Sequence, residues 1–194
     1  MTSGRAVMVS GIVLAAGSGS RMGKPKANLE LDGQTLLNRT LSMLFDGGCT
    51  TLIAVLGATQ PPHGGDAVTT FVHNPDWESG MASSLRVGLA EAAGDAAVVA
   101  LVDQPGITSE AVTRLIDSHR PGFASVATFK GEMRTPVLLD RALWGEVAAS
   151  VTGDAGARHW LRRNLPRVIP VACDDVADPS DLDVPEDLTG WENS

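Results

Sequence analysis

Between Leu14 and Lys26 the chain reads Leu14-Ala15-Ala16-Gly17-Ser18-Gly19-Ser20-Arg21-Met22-Gly23-Lys24-Pro25-Lys26. Glycines at the end of an apolar run let backbone N–H groups approach a phosphate without Cβ interference. Arg21, Lys24 and Lys26 add compact positive charge for several phosphate oxygens. Together these residues are written as a site for a nucleoside triphosphate. The alternative is a tight strand-to-helix turn whose glycines serve geometry alone, and three cations within six residues count against it. Two better-known phosphate loops are excluded by spacing. A dinucleotide fingerprint needs G-x-G-x-x-G, and here Met22 stands at the third glycine position, with Gly23 one residue late. A Walker A loop needs four residues between its glycines followed by Lys-Ser/Thr, and that is absent too.

Three other stretches carry groups able to do chemistry. Asp103 follows an apolar run in Leu101-Val102-Asp103-Gln104-Pro105. A carboxylate there is either a ligand for Mg²⁺, which takes one or two carboxylates plus phosphates and waters, or a cap on the next turn. Asp181-Leu182-Asp183-Val184-Pro185-Glu186-Asp187 offers a second carboxylate, Asp181 or Asp183, or else the acidic first turn of a helix opening near Pro185. Gly80-Met81-Ala82-Ser83-Ser84-Leu85 reads as a loop-to-helix junction. Its free N–H groups and hydroxyls suit a base, ribose or phosphate, or Ser83 or Ser84 is a plain N-cap. His63, His73, His119 and His159 stand near no recognisable nucleophile, and no G-x-S-x-G is present, so nothing supports a covalent hydrolase.

The elements that must position these groups alternate between strand and helix patterns. Strands are expected at Gly11–Ala15, Thr51–Leu56, Phe71–Val72, Ala96–Val102, Ala124–Phe129, Pro136–Leu139 and Val168–Ala172. Helices are expected at Thr35–Phe45, Ser83–Ala93, around Val112–Ile116, at Arg141–Ser150 and Ala155–Asn164, with a terminal one from Pro185. Gln60–Gly65 reads as a surface loop. Uninterrupted apolar strands alternating with helices imply an α/β, Rossmann-like three-layer α/β/α fold with a mostly parallel sheet, in one domain over 1–194. Ligands in such sheets bind beyond the carboxyl ends of the strands. Gly17, Gly57 and Asp103 all fall just past strand ends and are expected on one rim.

Composition narrows the partners. The 194 residues carry a net charge of −8, and 4% are aromatic with no tyrosine. General nucleic-acid or anionic-membrane binding wants a basic surface, and base stacking wants aromatic platforms. One small anionic ligand remains compatible, because a local cation cluster dominates at contact range. Cys49 and Cys173 form no C-x-x-C, so structural zinc is not expected. Reduced thiols in a cytoplasmic protein are the default reading, and a disulfide stays open. Arg5 and the apolar stretch after it resemble a weak signal peptide, but Ser10 and Gly11 interrupt it, and no run reaches the ~20 apolar residues of a membrane span.

Taken together, the chain resembles the MobA-like nucleotidyltransferases, and within them the molybdenum cofactor cytidylyltransferases. The likeness rests on the Leu14–Gly23 loop with Pro25-Lys26, Asn74-Pro75 to Trp77, Gly80-Met81 with Ser83-Ser84-Leu85-Arg86, Asp103-Gln104-Pro105, Gly153-Asp154-Ala155-Gly156-Ala157-Arg158 and the Asp181–Asp187 cluster. Ala15-Ala16-Gly17, in place of Ala-Gly-Gly, resembles the cytidylyl branch. The resemblance implies that Leu14, Ala15, Ala16, Gly17, Ser18, Gly19, Arg21, Met22, Gly23 and Lys26 hold the triphosphate. It puts Gly57, Ser83 and Ser84 near base and ribose. Asp103 with Asp183 would bind Mg²⁺, and Gln104, Pro105, Asp154 and Arg158 would face a molybdopterin-type acceptor. A molybdoenzyme or its maturation factor is the implied protein partner. One departure falls on the acceptor side: Arg134-Thr135-Pro136 stands where the family often has Gly-His-Pro.

The implied reaction is attack by a terminal phosphate oxygen of the acceptor on the α-phosphorus of CTP, with pyrophosphate leaving. An anionic nucleophile needs no protein base, so Lys26, Arg21 and Asp103-bound Mg²⁺ would act by positioning and charge. The competing readings are a guanylyl or sugar-1-phosphate transferase of the same fold, and a non-catalytic carrier of nucleotide or cofactor.

Overall fold

The structure is a computed structural model that describes residues 6–20, 22–61, 68–184 and 187. Arg21, His63 and the proposed helix from Pro185 therefore lie outside the described residues, as does most of the Gln60–Gly65 loop. Strands are β1 (Val9–Ala15), β2 (Glu30–Leu31), β3 (Gln34–Thr35), β4 (Thr51–Leu56), β5 (Thr69–His73), β6 (Ala96–Leu101), β7 (Ala124–Phe129), β8 (Glu132–Asp140) and β9 (Val168–Ala172). Helices are α1 (Leu36–Asp46), α2 (Met81–Glu91), α3 (Ser109–Asp117), α4 (Trp144–Ser150) and α5 (Arg158–Arg163).

Seven strands form one sheet in the order β5-β4-β1-β6-β8-β7-β9. It is mostly parallel, as expected. Only β8 is reversed, running antiparallel to both β6 and β7. Strand residues alternate between two cores with the period of two that a pleat imposes. Val13, Leu52, Ala54, Leu56 and Val98 face α1 and α3 in one core, with Leu37, Leu44 and Leu115. Ile12, Leu14, Ile53, Val55 and Val99 face α2, α4 and α5 in the other, with Leu85, Trp144 and Trp160. The apolar runs show no alternation because both faces are covered.

Small residues set the layer spacing. A Cβ on Gly88 of α2 would stand 2.6 Å from Ile12 Cγ2 of β1, and one on Gly47 2.5 Å from Val112 of α3. Thr35 caps α1 by accepting the Asn38 N–H at 3.2 Å, and Gly48 at φ +106° follows its end.

Several boundaries differ from the expectation. Strand β8 begins at Glu132, so Lys130-Gly131, at φ +52° and +79°, is a two-residue hairpin turn where a six-residue loop was expected. Such turns match the twist of the strands they join. Glu132 to Arg134 are strand because they pair with Phe129 to Ala127 of β7, with Glu132 and Arg134 exposed and Met133 packed against the core. Helix α5 starts at Arg158, since Gly153 and Gly156 hold positive φ just before it. The small β2–β3 hairpin was not anticipated. It turns on Asp32-Gly33, also both at positive φ. Cys49 and Cys173 are free and buried, and burial pushes the Cys49 thiol up to about 12. No described helix is long and apolar enough to cross a membrane.

Candidate active site

The glycine loop leaves β1 at Ala15 and turns back on itself. Ala16 O accepts the Ala58 N–H at 3.0 Å, tying the loop to the end of β4. Gly19 sits at φ +61°, and a Cβ there would lie 2.0 Å from Lys24 O, so this turn admits only glycine. Met22 donates its N–H to Gly19 O at 2.8 Å and buries its side chain with Ala27 and Leu29. Met22 is thus the loop's anchor in the core. Gly17 has nothing within 4 Å of its Cβ position and borders open cavity.

A short 3₁₀ turn, Lys26–Asn28, follows Pro25 and aims Lys26. Its Nζ donates to Asp103 Oδ2 and to Asp183 Oδ1, each at 2.7 Å. The Lys26 and Asp103 side chains are 19% and 22% exposed, so solvent screens this contact weakly, while Asp183 is 53% exposed. Burial disfavours the charged amine, but the bonds and charges of Asp103 and Asp183 outweigh it and raise the Lys26 pKa above its usual value.

Asp183 reaches this point because its neighbour is pinned. Leu182 is fully buried and donates its N–H to Asp103 O at 2.8 Å. Asp187 Oδ2 accepts the N–H groups of Asp183 and Val184 at 2.8 and 3.0 Å. Asp181, the rival second carboxylate, turns the other way and accepts from Gln104 Nε2 at 2.8 Å. Burial raises the Asp181 pKa; the Gln104 bond opposes this, and the charges of Asp103 and Asp183 add to it.

Two adjoining cavities open over the carboxyl ends of β1 and β6. The first, about 590 Å³, is bordered by Leu14 through Ser20, Lys26, Ser84, Asp103 and Asp183. The second, about 520 Å³, has an apolar floor of Leu85, Val99, Val126 and Val137 and a rim bearing Gln104, Arg134, Thr135, Arg158 and Arg162. Leu14, Met81, Leu101 and Asp154 line both. Asp154 Oδ1 accepts the Met81 N–H at 3.3 Å, at the start of α2.

Most residues expected at the site meet here. Met22, Gly23, Gly57, Ser83 and Pro105 border neither cavity. Gly57 makes room instead for Trp77, whose Cγ would stand 2.4 Å from a Cβ there. Ser83 Oγ lies 2.8 Å from Gly80 O and 3.0 Å from Asp76 O, within the turn. Since α2 begins at Met81, neither Ser83 nor Ser84 is its N-cap. Two contributors had no site role in the sequence reading, although Asn74-Pro75 to Trp77 is one of the stretches behind the resemblance. Trp77 lines the first cavity. Asn74, 1% exposed, donates from Nδ2 to Ser83 and Ser84 at 2.8 and 3.0 Å. An isolated tryptophan in the polar run Asn74-Pro75-Asp76-Trp77-Glu78 was the available signal.

The donor set fits a hard divalent ion. Two carboxylates already share one cation, the Lys26 ammonium, and among the described residues no three His, Cys, Asp or Glu side chains converge. A pair of carboxylates completed by phosphate and water oxygens is the arrangement magnesium favours.

Known proteins resemble the chain along nearly its whole length. It is 38% identical over 192 residues to nicotine blue oxidoreductase of Paenarthrobacter nicotinovorans, covering 93% of this chain and 94% of that protein. It is 29% identical to the molybdenum cofactor guanylyltransferase of Rhodobacter capsulatus, covering 95% of each. Rv0371c of Mycobacterium tuberculosis H37Rv superposes with a TM-score of 0.81 at 28% identity, covering 98% of this chain and 100% of that one. A structure of Rv0371c in complex with manganese gives a TM-score of 0.75, again at 28% identity, covering 96% and 99%. The model of the MobA-like NTP transferase domain matches residues 11–168, and with the glycine loop, Lys26 and Asp103 inside that span the chain belongs to this family.

Proposed function

We propose that the protein transfers a nucleoside monophosphate from a triphosphate, CTP by the Ala15-Ala16-Gly17 form of its loop, to the terminal phosphate of a molybdopterin-type acceptor. The observation that carries this reading is Lys26 held between Asp103 and Asp183 where the glycine loop meets the second cavity. The loop would take the triphosphate on its backbone N–H groups. Trp77 and Ser84 line the same cavity and would meet base and ribose there. The second cavity is apolar below, and its rim carries Arg134, Arg158 and Arg162 beside Glu132, Asp154 and Asp181, a mixed polar border that supports a flat heteroaromatic body with both anionic and hydrogen-bonding substituents. Leu14, Met81, Leu101 and Asp154, common to both cavities, mark where the two ligands would meet.

The chemistry asked of the chain is modest. Phosphoryl groups react when two anions are brought together in line and the charge between them is neutralised. Lys26 would neutralise oxygens of the transferring phosphate, and Asp103 with Asp183 would hold Mg²⁺. That ion supplies charge stabilisation at the α- and β-phosphates when bound. No side chain is needed as a base, because the acceptor oxygen is already anionic.

A second reading is favoured by the 38% identity to a protein named an oxidoreductase. In it the loop would hold the diphosphate of a reduced nicotinamide dinucleotide, and the second cavity a flat electron acceptor. One experiment separates the two. Purified protein is given Mg²⁺, each of the four triphosphates and molybdopterin, and pyrophosphate is measured. In parallel, NADH and NADPH are supplied with a quinonoid dye and absorbance at the nicotinamide band is followed. Metal- and acceptor-dependent pyrophosphate, greatest with CTP, is expected. Nicotinamide oxidation without pyrophosphate would overturn the transferase reading.

A further inference from the structure

We infer that Lys26 and a divalent ion compete for one position between Asp103 and Asp183, so the site holds metal weakly until a triphosphate draws the lysine away. The inference rests on the reading above that these two carboxylates hold a metal. One ammonium bridges both of them at 2.7 Å. A magnesium ion bound to the same oxygens would stand at about 2.0–2.1 Å from each, within the space the ammonium fills. Charge forbids sharing as well. Two carboxylates can offset the lysine or the dication, and putting both cations between them sets like charges in contact beside the poorly screened Lys26 and Asp103 side chains.

The carboxylates do not owe their closeness to Lys26. The Leu182 N–H bond to Asp103 O and the buried Leu182 side chain join the two segments through the backbone. With the lysine gone, they would still face one another as an open pair. Lys26 also borders the cavity lined by Gly17 and Gly19. Its flexible four-carbon stem lets the ammonium swing to phosphate oxygens bound in that loop. A triphosphate therefore does two things at once: it offers Lys26 a better partner, and it adds oxygen ligands beside the vacated carboxylates. Metal held without nucleotide would be idle, and this exchange limits it.

Nucleotide-free Mn²⁺ titrations followed by electron paramagnetic resonance test the exchange on the full chain. Lys26→Met is expected to bind Mn²⁺ at least tenfold tighter than wild type, and Lys26→Met/Asp183→Asn to lose that gain. If Lys26→Met binds no tighter while Asp183→Asn weakens wild-type binding, the competition is refuted and the metal reading stands. If no variant changes Mn²⁺ binding, the metal reading fails and the competition with it. Thermal melts accompany each variant, and Lys26→Gln replaces Lys26→Met should the latter unfold early. A measurement on unsubstituted Lys26 adds a check: its acylation, read by peptide mass, should be slower than that of Lys24 in the free protein and quicken in Asp183→Asn. Equal rates in wild type and Asp183→Asn would overturn the bridging role.

Discussion

Lys26 balances two carboxylates, and under the proposed function the same amine guards their metal position and meets the transferring phosphate. Lys26→Ala is accordingly expected to lower kcat by ~10²–10³ at saturating triphosphate, the scale of one lost transition-state donor. Steady-state pyrophosphate release checks it, and near-normal turnover would remove Lys26 from the chemistry. Gly19→Ala acts differently. Its Cβ would collide with Lys24 O in a backbone already at φ +61°, so triphosphate affinity should fall while the melting profile of the sheet is retained. Isothermal titration against a thermal melt separates those effects. Lys26, Asp103 and the loop were legible because their chemistry is written in contiguous residue types. Asn74 and Trp77 stood in a stretch behind the resemblance, but their roles were not legible, since each acts through distant partners, two serines on α2 and a glycine past the end of β4. Spacing left Asp181 and Asp183 open and only the resemblance favoured Asp183; in the structure Asp183 meets Lys26 and Asp181 meets Gln104.

Among the elements, the segment from Asp181 to Asp183 depends on a single apolar plug. Leu182→Ala should cost about 2–5 kcal/mol, the range for a leucine lost from a packed core. It should also release Asp183 from Lys26. Urea denaturation with parallel Mn²⁺ titration reads both, and a stability loss with unchanged metal binding would show that Asp183 holds its place without the plug. Strands β4, β7 and β9 match the expected ranges because apolar and β-branched residues dominate each, and Pro170 falls on the edge strand β9, where a missing N–H is tolerated. Strand β8 was cut short in the sequence reading because its first half is polar. Its pairing with β7, which extends from Leu139 back to Glu132, overrides that local pattern. The late start of α5 follows from Gly153 and Gly156, whose left-handed geometry is invisible to helical periodicity.

For the molecule as a whole, acid should loosen the fold at the base of β8. The Asp140 carboxylate, 9% exposed, accepts from Gly122 N and His119 Nε2, both at 2.9 Å, and from Ala142 N at 3.1 Å. Burial alone would raise its pKa, but these bonds prevail and lower it below the usual carboxylate value. A depressed folded pKa means that this stabilisation is complete above the unfolded value. It is lost as pH falls through the lower folded one. Asp140→Asn is therefore expected to lower stability near neutrality by about 1–3 kcal/mol, the cost of poorly satisfied buried donors. The gap to wild type should close in strongly acidic buffer. Urea midpoints across a pH series measure it, and a constant gap would assign the loss to packing. The net charge of −8 left open that Lys26 stands between Asp103 and Asp183, because summed charge carries no position.

The reversed strand has a consequence for how such a molecule diversifies. Because β8 returns from β7 through Lys130-Gly131 alone, Glu132 to Thr135 sit at the tip of a ribbon rooted in the sheet, bordering the second cavity and none of the first. Under the proposed function, edits to that tip would retune which companion molecule is welcomed while the polyphosphate half stayed as it is. A chassis divided in this way gives relatives that share one scaffold a simple route to dissimilar trades.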